Sequence, residues 1–211
     1  MITLLLDFLF PRRSVTGREG EWLTPDECRM LACDPVIVEK AELRRRGIVH
    51  LDCLVAAVSY KHPLARKAIH TLKYGKVRGI SSALGLMLAE AALRIDADDG
   101  IVLCPVPLHW RRRFARGFNQ AELLAMIVEA ENGWVCRSLI RRTRFTGSQV
   151  GRGKAERLRA LDGAFIAPGH VPAHVIVIDD VCTTGTTLDQ CAAALKLAGA
   201  MRVTGLVVAV D

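Results

Sequence analysis

The stretch VIVIDDVCTTGTTL, residues 175–188, sets the reading of the whole chain. Four aliphatic residues run directly into two adjacent aspartates, hydroxyls gathered around one glycine follow, and a helical pattern begins after them. A continuous Val/Ile run bounded by turn residues predicts a strand buried on both faces, as in a parallel sheet. That strand is expected over 174–179, with Asp179 and Asp180 at its end. In an open parallel sheet, ligands bind beyond the carboxyl ends of the strands. Two neighbouring carboxylates there repel each other and lose hydration, so a compensating partner is expected. The vicinal hydroxyls of a ribose or a hydrated Mg²⁺ would serve.

Thr183, Thr184, Gly185, Thr186 and Thr187 then open a helix. Backbone N–H groups, hydroxyls and the positive end of the helix dipole converge on one spot, and the glycine lets the backbone approach closely. Such a cradle suits one terminal phosphate. A loop that hydrolyses triphosphates would carry Gly-x-x-x-x-Gly-Lys-Ser/Thr, whose lysine reaches the outer phosphates, and no such motif is present. A helix cap accounts for one threonine rather than four. A carboxylate pair for the sugar beside an uncharged cradle for its 5′-phosphate describes a site for 5-phosphoribosyl compounds.

Outward from this motif, strands and helices alternate. LDCLVAAVSY (51–60) reads as a strand, and Pro63 opens a helix over 64–74 that ends near Gly75. SSALGLMLAEAALR (81–94) is a helix with a serine available as N-cap, and IVLCPVP (101–107) is a strand closed by its prolines. A helix is expected over 117–131 and a strand over 134–142. TGSQVGRG (146–153) lacks a core pattern and reads as a loop, followed by a short helix in KAERLRAL. After the 174–179 strand come a helix over 186–200 and a last strand over 202–210. The expected fold is therefore α/β, a Rossmann-like parallel sheet flanked by helices, over residues 51–211. Residues 1–50, broken by Pro11, Gly17, Gly20, Pro25 and Pro35, are expected to form a small irregular segment.

Composition narrows the function classes. The chain has 211 residues, half of them apolar and 24% charged, enough for a substantial core. No apolar run approaches the roughly 18 residues of a membrane span. MITLLLDFLFP is short, carries Asp7 and stops at Pro11, so it is expected to be a packed helix rather than a leader or an anchor. Seven scattered cysteines favour reduced thiols and a cytoplasmic location over a disulfide framework. The formal net charge of +7 is carried mainly by arginine, a balance that attracts phosphates, free or in nucleic acid. His62, His70 and His109 read as surface or cap residues. Trp22, Trp110 and Trp134 are too sparse for an aromatic track along a single strand.

A second constellation stands in CPVPLHWRRRFARGFNQAELLA (104–125). Arg111, Arg112, Arg113 and Arg116 lie between a strand end and a helix start, in an expected loop facing the cleft. Guanidinium groups neutralise a pyrophosphate through bidentate contacts that lysine makes less well. Gly117, Asn119 and Gln120 offer further donors at the next helix's first turn.

The threonine loop resembles the phosphoribosyl pyrophosphate (PRPP) signature of type I phosphoribosyltransferases. Pro-Val-Pro, the arginine run and Arg-Gly-Phe-Asn-Gln narrow the resemblance to the ComF family, competence-associated phosphoribosyltransferase-like proteins. HTLKYG (70–75), SLIRRTRFTGSQVGRGKAERLRALDGAF (138–165) and the last strand–helix–strand agree, so the similarity covers about residues 51–211, and LLLDFLFP fits too. The resemblance implies PRPP and Mg²⁺ as ligands, with Asp179 and Asp180 at the ribose and metal. It implies Lys73 at the mouth of the cleft and a flap around Arg144, Ser148 and Gln149. It also implies either transfer of the phosphoribosyl group to a nitrogen acceptor or a non-catalytic role in DNA uptake. Single-stranded DNA, the competence machinery and a second copy of the chain are the macromolecular partners it suggests. The family's N-terminal zinc module, built from Cys-x-x-Cys pairs, is degenerate here. Ser14 and Gly17 stand where the first pair is expected, and Cys28, Cys33, His50 and Cys53 are too irregular for a closed tetrahedral site, so no zinc is expected.

Overall fold

The computed structural model describes residues 13–18, 20–74, 79–96, 100–143 and 163–211, apart from the side chains of Arg111 and Arg112. Six strands form the main sheet: β1 (Val36–Glu39), β2 (Cys53–Ser59), β3 (Val102–Pro105), β4 (Val135–Cys136), β7 (His174–Cys182) and β8 (Arg202–Val210). Two further strands, β5 (Arg141–Arg142) and β6 (Phe165–Ile166), make a separate antiparallel pair. The sheet order is β1-β2-β8-β7-β3-β4. All neighbours are parallel except β1, which lies antiparallel along β2. The α/β architecture with a mostly parallel sheet is therefore present. The central strands are buried almost throughout, as unbroken Val/Ile/Leu runs require when helices cover both faces.

The helices are α1 (Pro25–Leu31), α2 (Lys40–Arg45), α3 (Pro63–Tyr74), α4 (Ile80–Ala92), α5 (Trp110–Arg116), α6 (Gln120–Asn132) and α7 (Thr186–Leu197). On one face Leu84 and Leu88 of α4 and Leu124 and Val128 of α6 pack with Ile176, Ile178 and Leu206, joined by Ile69 and Leu72 of α3. On the other, Leu188, Cys191 and Leu195 of α7 and Leu43 of α2 pack with Val175, Val177 and Val207. Each large aliphatic side chain so buried contributes about 2 kcal/mol. The α4 and α6 helices approach closely at Gly85, where an added Cβ would lie 2.5 Å from Ile127 Cδ1.

Several expectations need correction. The described residues among the first fifty are less irregular than their prolines and glycines imply. Thr24 caps α1 and Glu27 returns the bond to the Thr24 N–H, a capping box with Pro25 in the first turn. The described residues of this segment also enter the common core through Val15, Leu23 and Leu31 on one side and Val38, Leu43 and Ile48 on the other. The α4 helix starts at Ile80 behind Gly79 without a side-chain cap, and Ser81 lies buried inside it. Trp22 packs against Gly79, so a side chain there would displace the indole. The arginine stretch is helix α5 rather than loop, since arginine and alanine are strong helix formers once Pro107 has ended the strand region. The 134–142 run splits into β4 and β5 in different sheets, with residues 137–140 between them. His109 is buried rather than superficial. Strand β7 does not stop at Asp179. It continues to Cys182 because β8 pairs with it as far as Val210. The expected loop over 146–153 and the helix in KAERLRAL lie outside the described residues, as do residues 1–12 with the expected N-terminal helix.

Candidate ligand site at the carboxyl edge of the sheet

Because β2, β3, β7 and β8 run parallel, their carboxyl ends share one edge. Asp179 and Asp180 sit there on β7, half-buried and buried respectively. Their extended backbone sends the two carboxylates to different partners. Asp179 Oδ1 accepts from the Asp180 N–H at 2.8 Å. Asp180 Oδ1 lies 2.9 Å from Lys73 Nζ, which comes from the last turn of α3. Arg116, at the end of α5, adds a second positive charge to the cluster.

Burial and then repulsion from Asp180 push the Asp179 carboxyl up to about 7, against the pull of Lys73, the Asp180 N–H and Arg116. Burial opposes the charge on Lys73, but the Asp180 carboxylate outweighs it and holds the ammonium above the ordinary lysine value. The site thus sets the Lys73–Asp180 ion pair beside a carboxyl whose surroundings disfavour its charged form.

The threonine loop follows within two residues. Gly185 adopts φ +73° and precedes α7 as its N-cap, a left-handed conformation natural to glycine. A Cβ there would lie 2.1 Å from Ile48 Cδ1, so the residue answers two demands at once. Thr183 is exposed, Thr184 half-buried, and the Thr184 and Thr186 hydroxyls lie 3.0 Å apart. The loop is fixed from the side by Asp189 in the first turn of α7. Its Oδ1 accepts from the Val49 and His50 N–H groups at 2.8 and 2.7 Å, and its Oδ2 is 3.2 Å from His50 Nδ1. A hollow of about 350 Å³, lined by Arg46, Ile48, Cys182, Thr183 and Thr184 among others, opens beside the loop.

The structure brings Asp179, Asp180, Lys73, Arg116 and the threonine loop to the same edge. Arg113 is exposed and paired with Glu122 of α6 at 3.0 Å. Arg144, Ser148 and Gln149 lie outside the described residues, as do the side chains of Arg111 and Arg112. Tyr74, which the sequence did not mark as a ligand-site residue, joins the cluster together with Gln120, one of the further donors expected there. The Arg116 guanidinium stacks over the Tyr74 ring at 5.2 Å and donates to Gln120 Oε1 at 3.0 Å. Gln120 is buried, and its Nε2 has no hydrogen-bond partner among the described residues. The Lys-Tyr pair ending α3 and the Asn-Gln pair opening α6 were the available signals. What they lacked in sequence was any sign that Arg116 links them.

As for metals, the aspartate pair offers hard oxygen donors that suit a hydrated Mg²⁺ held jointly with a phosphorylated ligand. No group of three His, Cys, Asp or Glu side chains able to hold a metal occurs among the described residues. Cys33 Sγ donates to the Ala57 carbonyl, and His50 is directed to Asp189. No helix among the described residues is long and apolar enough to cross a membrane.

The chain is similar to several known proteins. The DNA utilization protein YhgH of Escherichia coli K12 is 35% identical over 159 residues, spanning 71% of this chain and 68% of that protein. Its Salmonella typhi counterpart is 34% identical over 156 residues, with the same coverage. Competence protein F of Haemophilus influenzae is 32% identical over 141 residues, covering 63% of this chain and 56% of the relative. The chain belongs to the ComF family. No family model matches it. Among solved structures, the glutamine PRPP amidotransferase from B. subtilis complexed with ADP and GMP aligns at a TM-score of 0.44 and 19% identity. An allosteric regulatory enzyme of purine biosynthesis aligns at 0.45 and 16%. Each covers 66% of this chain, which spans 30% of either structure. For this ComF-family chain, then, membership rests on the sequence relatives, and the site on its own geometry.

Proposed function

We propose that this protein binds PRPP with Mg²⁺ and transfers the 5-phosphoribosyl group to a nitrogen acceptor, releasing pyrophosphate. The observation that carries this reading is the adjacency, at one sheet edge, of Asp179 and Asp180 to a lysine-free threonine loop at a helix N-terminus. In this reading the threonine hydroxyls and loop N–H groups bind the 5′-phosphate. The aspartates accept hydrogen bonds from the ribose hydroxyls, and Lys73 and Arg116 face the pyrophosphate. Bound Mg²⁺, held by Asp179 and Asp180 with the ligand's oxygens, would supply charge neutralisation to the leaving group.

Departure of pyrophosphate breaks the C1′–O bond, whose electron pair leaves with the oxygen. The sugar centre becomes positively charged, and the two carboxylates lie where that charge develops. The nitrogen acceptor then bonds to C1′ and sheds its proton. The protein contributes position and electrostatics rather than a nucleophile.

Calorimetry with PRPP and Mg²⁺ tests the assignment. Asp180→Asn is expected to abolish most of the affinity, and an unchanged affinity would sink the reading. A screen for pyrophosphate release across nucleobases and amines tests turnover, with release expected for at least one acceptor.

A second reading, a DNA-binding factor for competence without catalysis, is favoured by one feature. Helix α5 exposes Trp110 and Phe114, 66% and 89% accessible, one turn apart among its arginines. Aromatic and arginine side chains together suit single-stranded nucleic acid. Silence across the acceptor panel, with a slope of log affinity against log salt that drops on changing Arg112 and Arg113, would favour it.

A further inference from the structure

Two cationic demands meet at one atom. Asp180 is 6% exposed, and its Oδ1 is committed to Lys73 Nζ at 2.9 Å. The PRPP reading, on which the role of Lys73 inferred below depends, gives that same carboxylate to ribose hydroxyls and a hydrated cation. The ammonium takes an acceptor site of the carboxylate and its charge repels an arriving divalent ion, so the two cations compete for Asp180. A buried carboxylate such as Asp180 also needs a counter-charge when no ligand is bound.

Lys73 is suited to supply that charge and then to give it up. It sits in the last turn of α3, on a long flexible stem with three rotatable donors and a side chain still 20% exposed. Arg116, the other cation of the cluster, is held differently. Its planar group is stacked on Tyr74 and bonded to Gln120, so it is fixed in place.

We infer that Lys73 is a built-in stand-in for the ligand's cation: it neutralises Asp180 while the site is free, and the arriving phosphoribosyl ligand releases it to the diphosphate. The same residue then opposes binding of a bare divalent ion and favours binding of the ion together with its diphosphate. The site is thereby matched to the complete ligand rather than to either part. Arg116 remains stationary throughout and serves as the permanent positive charge.

The experiment measures Mn²⁺ binding alone by electron paramagnetic resonance on the full chain, and PRPP binding in Mg²⁺ by calorimetry. Lys73→Gln is expected to bind bare Mn²⁺ about tenfold more tightly than the parent and PRPP about tenfold more weakly, within the usual range of coupling between ligands. Lys73→Arg, which keeps the charge, is expected to hold Mn²⁺ affinity at the parent level. Adding Asp180→Asn to Lys73→Gln is expected to erase the gain.

Parental binding of PRPP with no tightening of Mn²⁺ in Lys73→Gln overturns the stand-in role and leaves the functional reading intact. Failure of the parent to bind PRPP overturns both. If Lys73→Gln does not fold, carbon-13 methylation of the parent's lysines keeps the test alive. The Lys73 resonance, identified by its loss in Lys73→Arg, is expected to shift when pyrophosphate and Mg²⁺ are added together. A resonance that stays fixed on ligand binding overturns the inference.

Discussion

Asp52 and Asp180 lie at opposite ends of the same sheet and differ in how completely the fold answers their charge. Asp52 precedes β2, at the edge where the parallel strands begin. Lys40 Nζ and Lys196 Nζ each lie 2.6 Å from one of its oxygens, and the Val203 N–H donates at 3.0 Å. Burial alone would raise its carboxyl, but the two lysines and the amide outweigh this and hold it down at about 2. Asp180 has one lysine, and its neighbour Asp179 is pushed the other way. One carboxylate ties α2, α7 and two strands together. The other is held by one flexible lysine, beside a carboxyl that burial and its neighbour disfavour as an anion. An edge with charges perturbed in this way is where a ligand belongs.

The largest expected effect tests this contrast directly. Asp180→Asn should weaken PRPP binding in Mg²⁺ by about a hundredfold, as loss of a buried charged partner does, while Asp52→Asn should leave it unchanged; calorimetry measures both. In urea unfolding the order reverses. Asp52→Asn should cost about 2 kcal/mol, since two lysines lose their shared partner. Equal effects of the two substitutions in either assay would break the comparison.

Gly185→Ala probes the phosphate end. Backbone at φ +73° and the closeness of Ile48 together should cost about 1–2 kcal/mol of stability and about tenfold in PRPP affinity. Ile48→Ala should recover part of the stability and none of the strain in the loop backbone.

The smallest effect concerns Glu27, the buried carboxylate of the α1 capping box. Burial would raise it, yet the Thr16, Thr24 and Ser14 donors outweigh burial and hold it at about 2, below its ordinary 4.5. A carboxyl depressed by folding contributes stability that is present above pH 4.5 and is lost as the pH falls toward 2. Glu27→Gln should therefore flatten the parent's decline in urea midpoint across that window.

The parallel sheet, the helices after it and the threonine loop were legible because each rests on local pattern: buried Val/Ile runs, Pro63 at a helix start, glycine before α7. Helix α1 was not read from the sequence: its signal stands in Thr-Pro-Asp-Glu, but the surrounding glycines and prolines masked the capping box. The prolines before α5 likewise hid a helix that its arginines and alanine favour. Pairings between distant segments were beyond local reading. Lys73 with Asp180, Arg116 with Tyr74 and Asp189 with Val49 depend on which elements meet at the sheet's edge.

That last pairing has a practical consequence for anyone trimming or swapping this protein's front end. The amides of Val49 and His50 bond to Asp189 across 140 and 139 positions of chain, and Ile48 lies against Gly185. The turn that would grip a phosphate is braced by a strut from the first fifty residues. A graft beginning after that strut would carry every threonine of the cradle and still be unable to hold its shape.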